Sequence, residues 1–226
     1  MLPRRLMVLA FMLIAMPALA QLRWREGEQY QLLPTVQRAG APADKIEVAE
    51  VFSYGCPYCY QAKDVMAKLA TELPPDAAMF YVHASFQNES EAWPMFQRAY
   101  YTAQKLGIAL GTHDAMFKAI WETGEMPLVD KATGKLLQRR PTIEDAAKFH
   151  ARLGKVKAAD FLSVAKSPEI DVQMQRADAL IKLWRIPGTP ALVVNGRYLI
   201  DNRLAHAEQA QIAKFLIGLE RTRLEK

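Results

Sequence analysis

Cysteine is nearly absent from this 226-residue chain: Cys56 and Cys59 are the only two. So sparse a supply excludes a disulfide-stapled scaffold, which needs several bridges to replace a core. A second C-x-x-C is missing, and His83, His113, His150 and His206 lack paired ligand spacing, which argues against a zinc site or any other metal. The net charge is +5 at pH 7 with both signs interspersed, so nothing points to a nucleic-acid partner. Repeats and low-complexity tracts are lacking too. After residue 20, charges interrupt every apolar stretch before it reaches the ~20 residues of a membrane-spanning helix.

The N-terminus is different. Arg4 and Arg5 precede an uncharged apolar run from Leu6 to Met16, which Pro17 breaks before the small residues of Ala18-Leu19-Ala20. That is the pattern of a secretory signal peptide, residues 1–20, cleaved after Ala20. The run is too short for a comfortable membrane anchor. The expectation is a soluble protein, residues 21–226, exported to a bacterial periplasm.

Residues 21–45 are mostly polar and end in the loop signal Gly40-Ala41-Pro42-Ala43-Asp44, with Tyr30-Gln31-Leu32-Leu33 suited to an edge strand. Ile46 to Phe52 is β-branched, aromatic and apolar apart from Glu47 and Glu50, and suits a buried strand. A helix follows, with Pro57 at its first position and Cys59, Ala62, Val65/Met66, Leu69 and Leu73 on one face, stopped by Pro74-Pro75. Met79 to Phe86 reads as the next strand, completing a βαβ unit with a parallel pair.

Residues 90–166 read as an all-helical insertion of about four helices. The first carries Trp93, Phe96, Tyr100, Ala103 and Leu106. Thr112 is expected to cap the second, which carries Met116, Phe117, Ile120 and Trp121. The third opens at a Thr142/Asp145 capping box and ends at Gly154, and the last surrounds Phe161 to Ala165. Ser167-Pro168 then starts a long helix. Asn195-Gly196 forms a tight hairpin between Ala191–Val194 and Arg197–Ile200, and a helix with Ile212, Phe215, Leu216 and Leu219 closes the chain. The order is βαβ, helical insertion, αββα.

The chemistry concentrates at the strand–helix junction that holds both cysteines. A thiolate, not a thiol, attacks disulfides, and a helix N-terminus stabilises it through free N–H groups and the macrodipole. Cys56 lies at that N-terminus, so its pKa is expected to be depressed. Cys59 lies one turn inward and is expected to be shielded. A structural disulfide across so small a loop would stabilise little. A C-x-x-C at the junction of a βαβ unit is the context of a redox motif.

On these residues the chain resembles the thioredoxin fold, an α/β fold interrupted here by the helical insertion. Residues 21–89 and 167–226 would form the thioredoxin-fold domain and 90–166 the insertion. The run Glu50…Cys56-Pro57-Tyr58-Cys59-Tyr60-Gln61, with Gly188-Thr189-Pro190 and Val193-Val194-Asn195-Gly196-Arg197-Tyr198, resembles the DsbA family of periplasmic thiol:disulfide oxidoreductases. The resemblance implies a redox-active Cys56–Cys59 disulfide and no other cofactor, with Cys56 the exposed nucleophile. It implies that Pro190 follows a cis bond and, with Thr189, presents backbone to substrate. Glu50, Pro57, Tyr58 and Thr189 would tune the site, Glu50 from a buried position beneath it.

Two departures bear on direction. The strand Phe80-Tyr81-Val82-His83 lacks the lysine that family members often place near the acidic residue. Thr189 stands where many strong oxidases carry valine, and resembles the isomerase and reductase branches. Those isomerases carry an N-terminal dimerisation domain, which residues 21–45 are too few to build. The implied function is a monomeric oxidase of reduced exported proteins, reoxidised by a DsbB-like membrane quinone reductase. An isomerase or reductase kept reduced, and a chaperone-like peptide binder using the Met- and Trp-containing insertion, are the alternatives.

Overall fold

The computed structural model describes residues 24–225; the expected signal peptide lies outside them. Five strands form one mixed sheet in the order β1-β5-β4-β2-β3. The strands are β1 (Tyr30–Leu32), β2 (Ile46–Phe52), β3 (Ala77–His83), β4 (Ala191–Val194) and β5 (Tyr198–Ile200). Strand β2, buried along its whole length, pairs parallel with β3 and antiparallel with β4. The crossover between β2 and β3 is α1 (Pro57–Glu72).

Asn195 and Gly196 take φ of +50° and +62°, as a two-residue hairpin turn between right-twisted strands requires. Gly196 is also held by space, because a Cβ there would lie 2.1 Å from the Gln37 carbonyl oxygen.

Four α-helices fall between β3 and the long helix that returns to the sheet: α2 (Trp93–Lys105), α3 (Ala109–Lys118), α4 (Ile143–Arg152) and α5 (Ala158–Ala165). The capping box forms at α4, where Thr142 Oγ1 accepts from the Asp145 amide and the Asp145 carboxylate accepts from the Thr142 amide. Helix α3 corrects one expectation. It starts at Ala109, not at a Thr112 cap, and Thr112 Oγ1 instead donates back to the Ile108 carbonyl at 3.0 Å. Strand β3 is also shifted toward the N-terminus of the expected Met79–Phe86, because Phe86 and Gln87 take positive φ and cannot continue a strand.

Helix α6 (Pro168–Leu183) and the C-terminal α7 (His206–Leu224) complete the fold. One face of the sheet packs Val48, Leu192 and Val194 against Ala62, Met66 and Leu69 of α1 and Ile212, Ala213 and Leu216 of α7. The other packs Ala49, Val51 and Val193 with Phe96, Ala99 and Ala103 of α2 and Ile170, Ala177 and Ile181 of α6. Trp184, fully buried, anchors the end of α6, and its indole N–H donates to the Gln37 carbonyl at 2.9 Å. Truncating such a residue to alanine costs about 3–5 kcal/mol. No described helix is long and apolar enough to cross a membrane.

Glu47, a polar interruption of the strand with no assigned role in the sequence, is fully buried and accepts the backbone N–H groups of Ala39, Gly40 and Ala41 at 2.7–2.8 Å. It ties the N-terminal segment down onto the central strand.

Candidate redox site

Strand β2 ends at Phe52, and a closed turn carries the chain into α1. Ser53 Oγ accepts from the Gly55 amide at 3.2 Å, and the Ser53 carbonyl accepts from the Cys56 amide at 3.1 Å. Gly55 is required by space, since a Cβ there would lie 2.7 Å from Trp93 Nε1. Cys56 is the N-cap of α1 in extended conformation, with Pro57 at the first helical position. Its sulfur acts as the capping acceptor, taking the Cys59 amide at 3.4 Å. Among the free N–H groups of a helix start, one is therefore aimed at the sulfur that would carry negative charge.

The loop from α6 to β4 closes the site from the other side. The Thr189–Pro190 peptide bond is cis, as the resemblance implied. The Cys56 thiol donates to the Thr189 carbonyl at 3.3 Å. The expected exposure of Cys56 is corrected: it is only 3% exposed, because capping turns its sulfur inward against the Thr189 carbonyl. Cys59 is fully buried on the inner face of α1, Pro57 is exposed, and Tyr58 is 63% exposed. Both cysteines are free thiols in this structure, so it describes the dithiol of the pair rather than its disulfide.

The environment separates the two thiols. Cys56 is pushed down to about 6, chiefly by the Cys59 thiol hydrogen bond, with help from the Thr189 side chain and the Cys59 and Tyr58 amides; partial burial works against it. Cys59 is raised well above an ordinary thiol, first by burial and then by its bond to Cys56. One sulfur is thus a thiolate at neutral pH and its neighbour holds its proton. The Thr189 hydroxyl lies close enough to favour both thiolates, yet it is buried and makes no hydrogen bond of good geometry.

Glu50 lies on β2, opposite Leu192 of β4 and Tyr81 of β3. It is 2% exposed, and its Oε2 has no hydrogen-bond partner. Burial pushes its carboxyl up to about 8. Among the described residues no ion pair includes it, and the position opposite it on β3 is tyrosine rather than a cation. Its electrostatic influence falls on Tyr54, Tyr81 and Tyr100. Those aromatic groups, with His83 and His113, were not singled out as site residues in the sequence. Their helical and strand spacing looks like ordinary core, and only the fold shows that they converge on Phe52 and Tyr54, just before Cys56. No group of metal-ligating residues forms among the described residues.

The matching family model is the DSBA-like thioredoxin domain, which covers residues 47–213 and so includes the junction, both cysteines and the cis-proline loop. The chain belongs to this family. A curated relative from Azotobacter vinelandii, named thiol:disulfide interchange protein DsbA, is 34% identical over 198 residues, 87% of this chain and 84% of its own length. The DsbA of Pseudomonas aeruginosa is 31% identical over 202 residues, 88% of this chain and 87% of its own. Among solved structures, oxidoreductase DsbA from Xylella fastidiosa superposes with a TM-score of 0.77 at 31% identity, covering 88% of this chain and 98% of that one. The DsbA-like thioredoxin fold, with helices inserted between β3 and α6, therefore accounts for the architecture.

Proposed function

We propose that this chain is a periplasmic thiol:disulfide oxidoreductase that introduces disulfides into exported proteins through Cys56 and Cys59. The observation that carries this reading is the split between the thiols, Cys56 down to about 6 and Cys59 well up. In the oxidised protein a substrate thiolate attacks Cys56 Sγ. The Cys56–Cys59 bond breaks, and the electron pair leaves on Cys59, which takes up a proton. A second substrate thiolate then attacks the substrate sulfur of the mixed disulfide, expelling Cys56 as a stabilised thiolate. Two substrate thiols lose two electrons and two protons, and the protein becomes the dithiol.

No cofactor beyond the two sulfurs enters this exchange. A DsbB-like membrane quinone reductase would take the electrons back, and the protein would act as a monomer. The cis Thr189–Pro190 segment beside Cys56 supports a role for its backbone in holding the substrate strand. At pH 7 a Cys56 pKa of about 6 rather than 9 favours the dithiol by about 1.4 kcal/mol, or ~30 mV. Thiolate stabilisation therefore adds to the oxidising power but does not set it alone.

Oxidised protein should restore activity to a reduced, unfolded disulfide protein and Cys56→Ser should not. Cys59→Ser, given a substrate that already holds a disulfide, should attack it through Cys56, release one substrate thiol and accumulate the mixed disulfide. Full activity of Cys56→Ser would contradict the proposal. Thr189, which resembles the isomerase and reductase branches, motivates the second reading. Trapping thiols in cells separates the two: a mostly oxidised pair supports the oxidase and a mostly reduced pair the alternative.

A further inference from the structure

Tyr54, two residues before Cys56, is held at three points by side chains from distant parts of the chain. Its amide donates to His83 Nε2 on β3 at 3.1 Å. Its carbonyl accepts from Trp121 Nε1 at 2.9 Å. Its hydroxyl pairs with His113 Nδ1 on α3 at 3.1 Å. A loop residue normally satisfies its backbone with neighbours or water. Here both backbone polar groups and the hydroxyl are taken by indole and imidazole groups, and the residue is buried.

The chemistry of each partner suits a fixed support. His83 Nδ1 lies 3.0 Å from the Ala84 carbonyl, so that nitrogen carries the proton and Nε2 offers the lone pair that Tyr54 N–H needs. Burial holds His83 and His113 well below the ordinary histidine range, at about 3 and about 4, so both are neutral in any working pH. His113, Phe117 and Trp121 recur at four-residue spacing, and Phe117 and His113 pack their rings on Tyr54 at 5.0 and 5.4 Å. Trp121 lies in a single π-helical turn, Ala119–Thr123, that continues α3. Such an insertion re-aims the side chains after it. Trp121 also stacks on Tyr60 of α1 at 6.1 Å, and Tyr60 donates to Glu122 at 2.8 Å, so the same turn grips the helix that Cys56 caps.

We propose that His113 and Trp121, both from the helical insertion, are positioning residues for the redox reaction, acting through Tyr54 to hold Cys56 at the N-cap of α1. The insertion then does more than cover the site. Through one hydroxyl and one carbonyl it fixes the turn that points the Cys59 amide at the Cys56 sulfur. This inference rests on the proposed redox role of Cys56.

The test is a double-mutant cycle on the full exported chain in the dithiol form. Thiolate absorbance gives the Cys56 midpoint, and hydrogen exchange reports the Gly55 and Cys56 amides. His113→Phe and Tyr54→Phe keep the rings and remove the bond. Each should raise the midpoint by about half a unit or more and speed exchange of both amides several-fold. The double variant should go no further than either single one. His113→Asn, which returns an acceptor near the same point, should restore the midpoint. Trp121→Phe should raise it independently. Unchanged exchange and midpoint in the single variants, or additive shifts in the double, would overturn the inference. A wild-type midpoint near that of a free thiol would instead count against the redox reading, while the exchange data would still decide the positioning role.

Discussion

The Cys56 thiol donates to the Thr189 carbonyl at 3.3 Å, joining residues 133 apart in the chain. This contact brings the Thr189 side chain beside both sulfurs, where its buried hydroxyl lacks a hydrogen bond of its own. Thr189→Val keeps the shape and removes that hydroxyl. The Cys56 midpoint should rise, because one of the influences that lower it is gone. Below that midpoint, where the Cys56 thiol is protonated and the hydroxyl is left without a partner, the dithiol form should also gain about 1 kcal/mol against urea, the cost of an unsatisfied buried polar group. A lower midpoint together with a less stable protein would show that the hydroxyl acts in the opposite sense.

Glu50 predicts a stability that falls with pH. Its folded pKa of about 8 lies above the unfolded value near 4.5, so the folded state binds the extra proton between those limits. The contribution is full below pH 4.5 and is lost as pH rises through 8. Glu50→Gln should match wild type in acid and exceed it increasingly up to pH 8, by at most on the order of 5 kcal/mol. Parallel curves for the two proteins in urea denaturation from pH 4 to 9 would contradict a neutral, unpartnered Glu50.

His150 of α4 predicts the opposite slope. It is buried, stacks on Phe161 of α5 at 4.8 Å, and leaves Nδ1 without a partner. Burial pushes it down to about 4, below the ordinary 6.5, so its share of stability is lost as pH falls from 6.5 toward 4. His150→Phe should melt progressively later than wild type across that window, with a relative gain of about 3 kcal/mol at its lower end. His83 and His113, also buried and neutral, should leave part of the acid sensitivity in place. Equal acid sensitivity with and without His150 would show that its burial as a neutral ring does not contribute.

Local signals made most of the fold legible in the sequence. Pro57, the Thr142/Asp145 pair, Ser167-Pro168 and Asn195-Gly196 each fix backbone by short-range chemistry, and each marks the boundary or turn it suggests. Thr112 misled because a threonine can cap a helix or bond back within one, and only the tertiary packing of α3 selects the second. The cysteines were legible from spacing alone. The depth of Cys56 was not, since it depends on a carbonyl contributed by the cis-proline loop. Tyr54, His83, His113 and Trp121 were illegible as site residues, because convergence across 67 residues of chain leaves no local pattern.

At neutral pH Cys56 is a thiolate and Cys59 is not. The most direct measurement is thiolate absorbance of the reduced protein as a function of pH, with Cys56→Ser as the reference. The expected result is a transition of one thiolate with a midpoint about 6, absent in Cys56→Ser, and no second thiolate at neutral pH. A midpoint near the ordinary 9, or a neutral-pH transition that persists in Cys56→Ser, would contradict it.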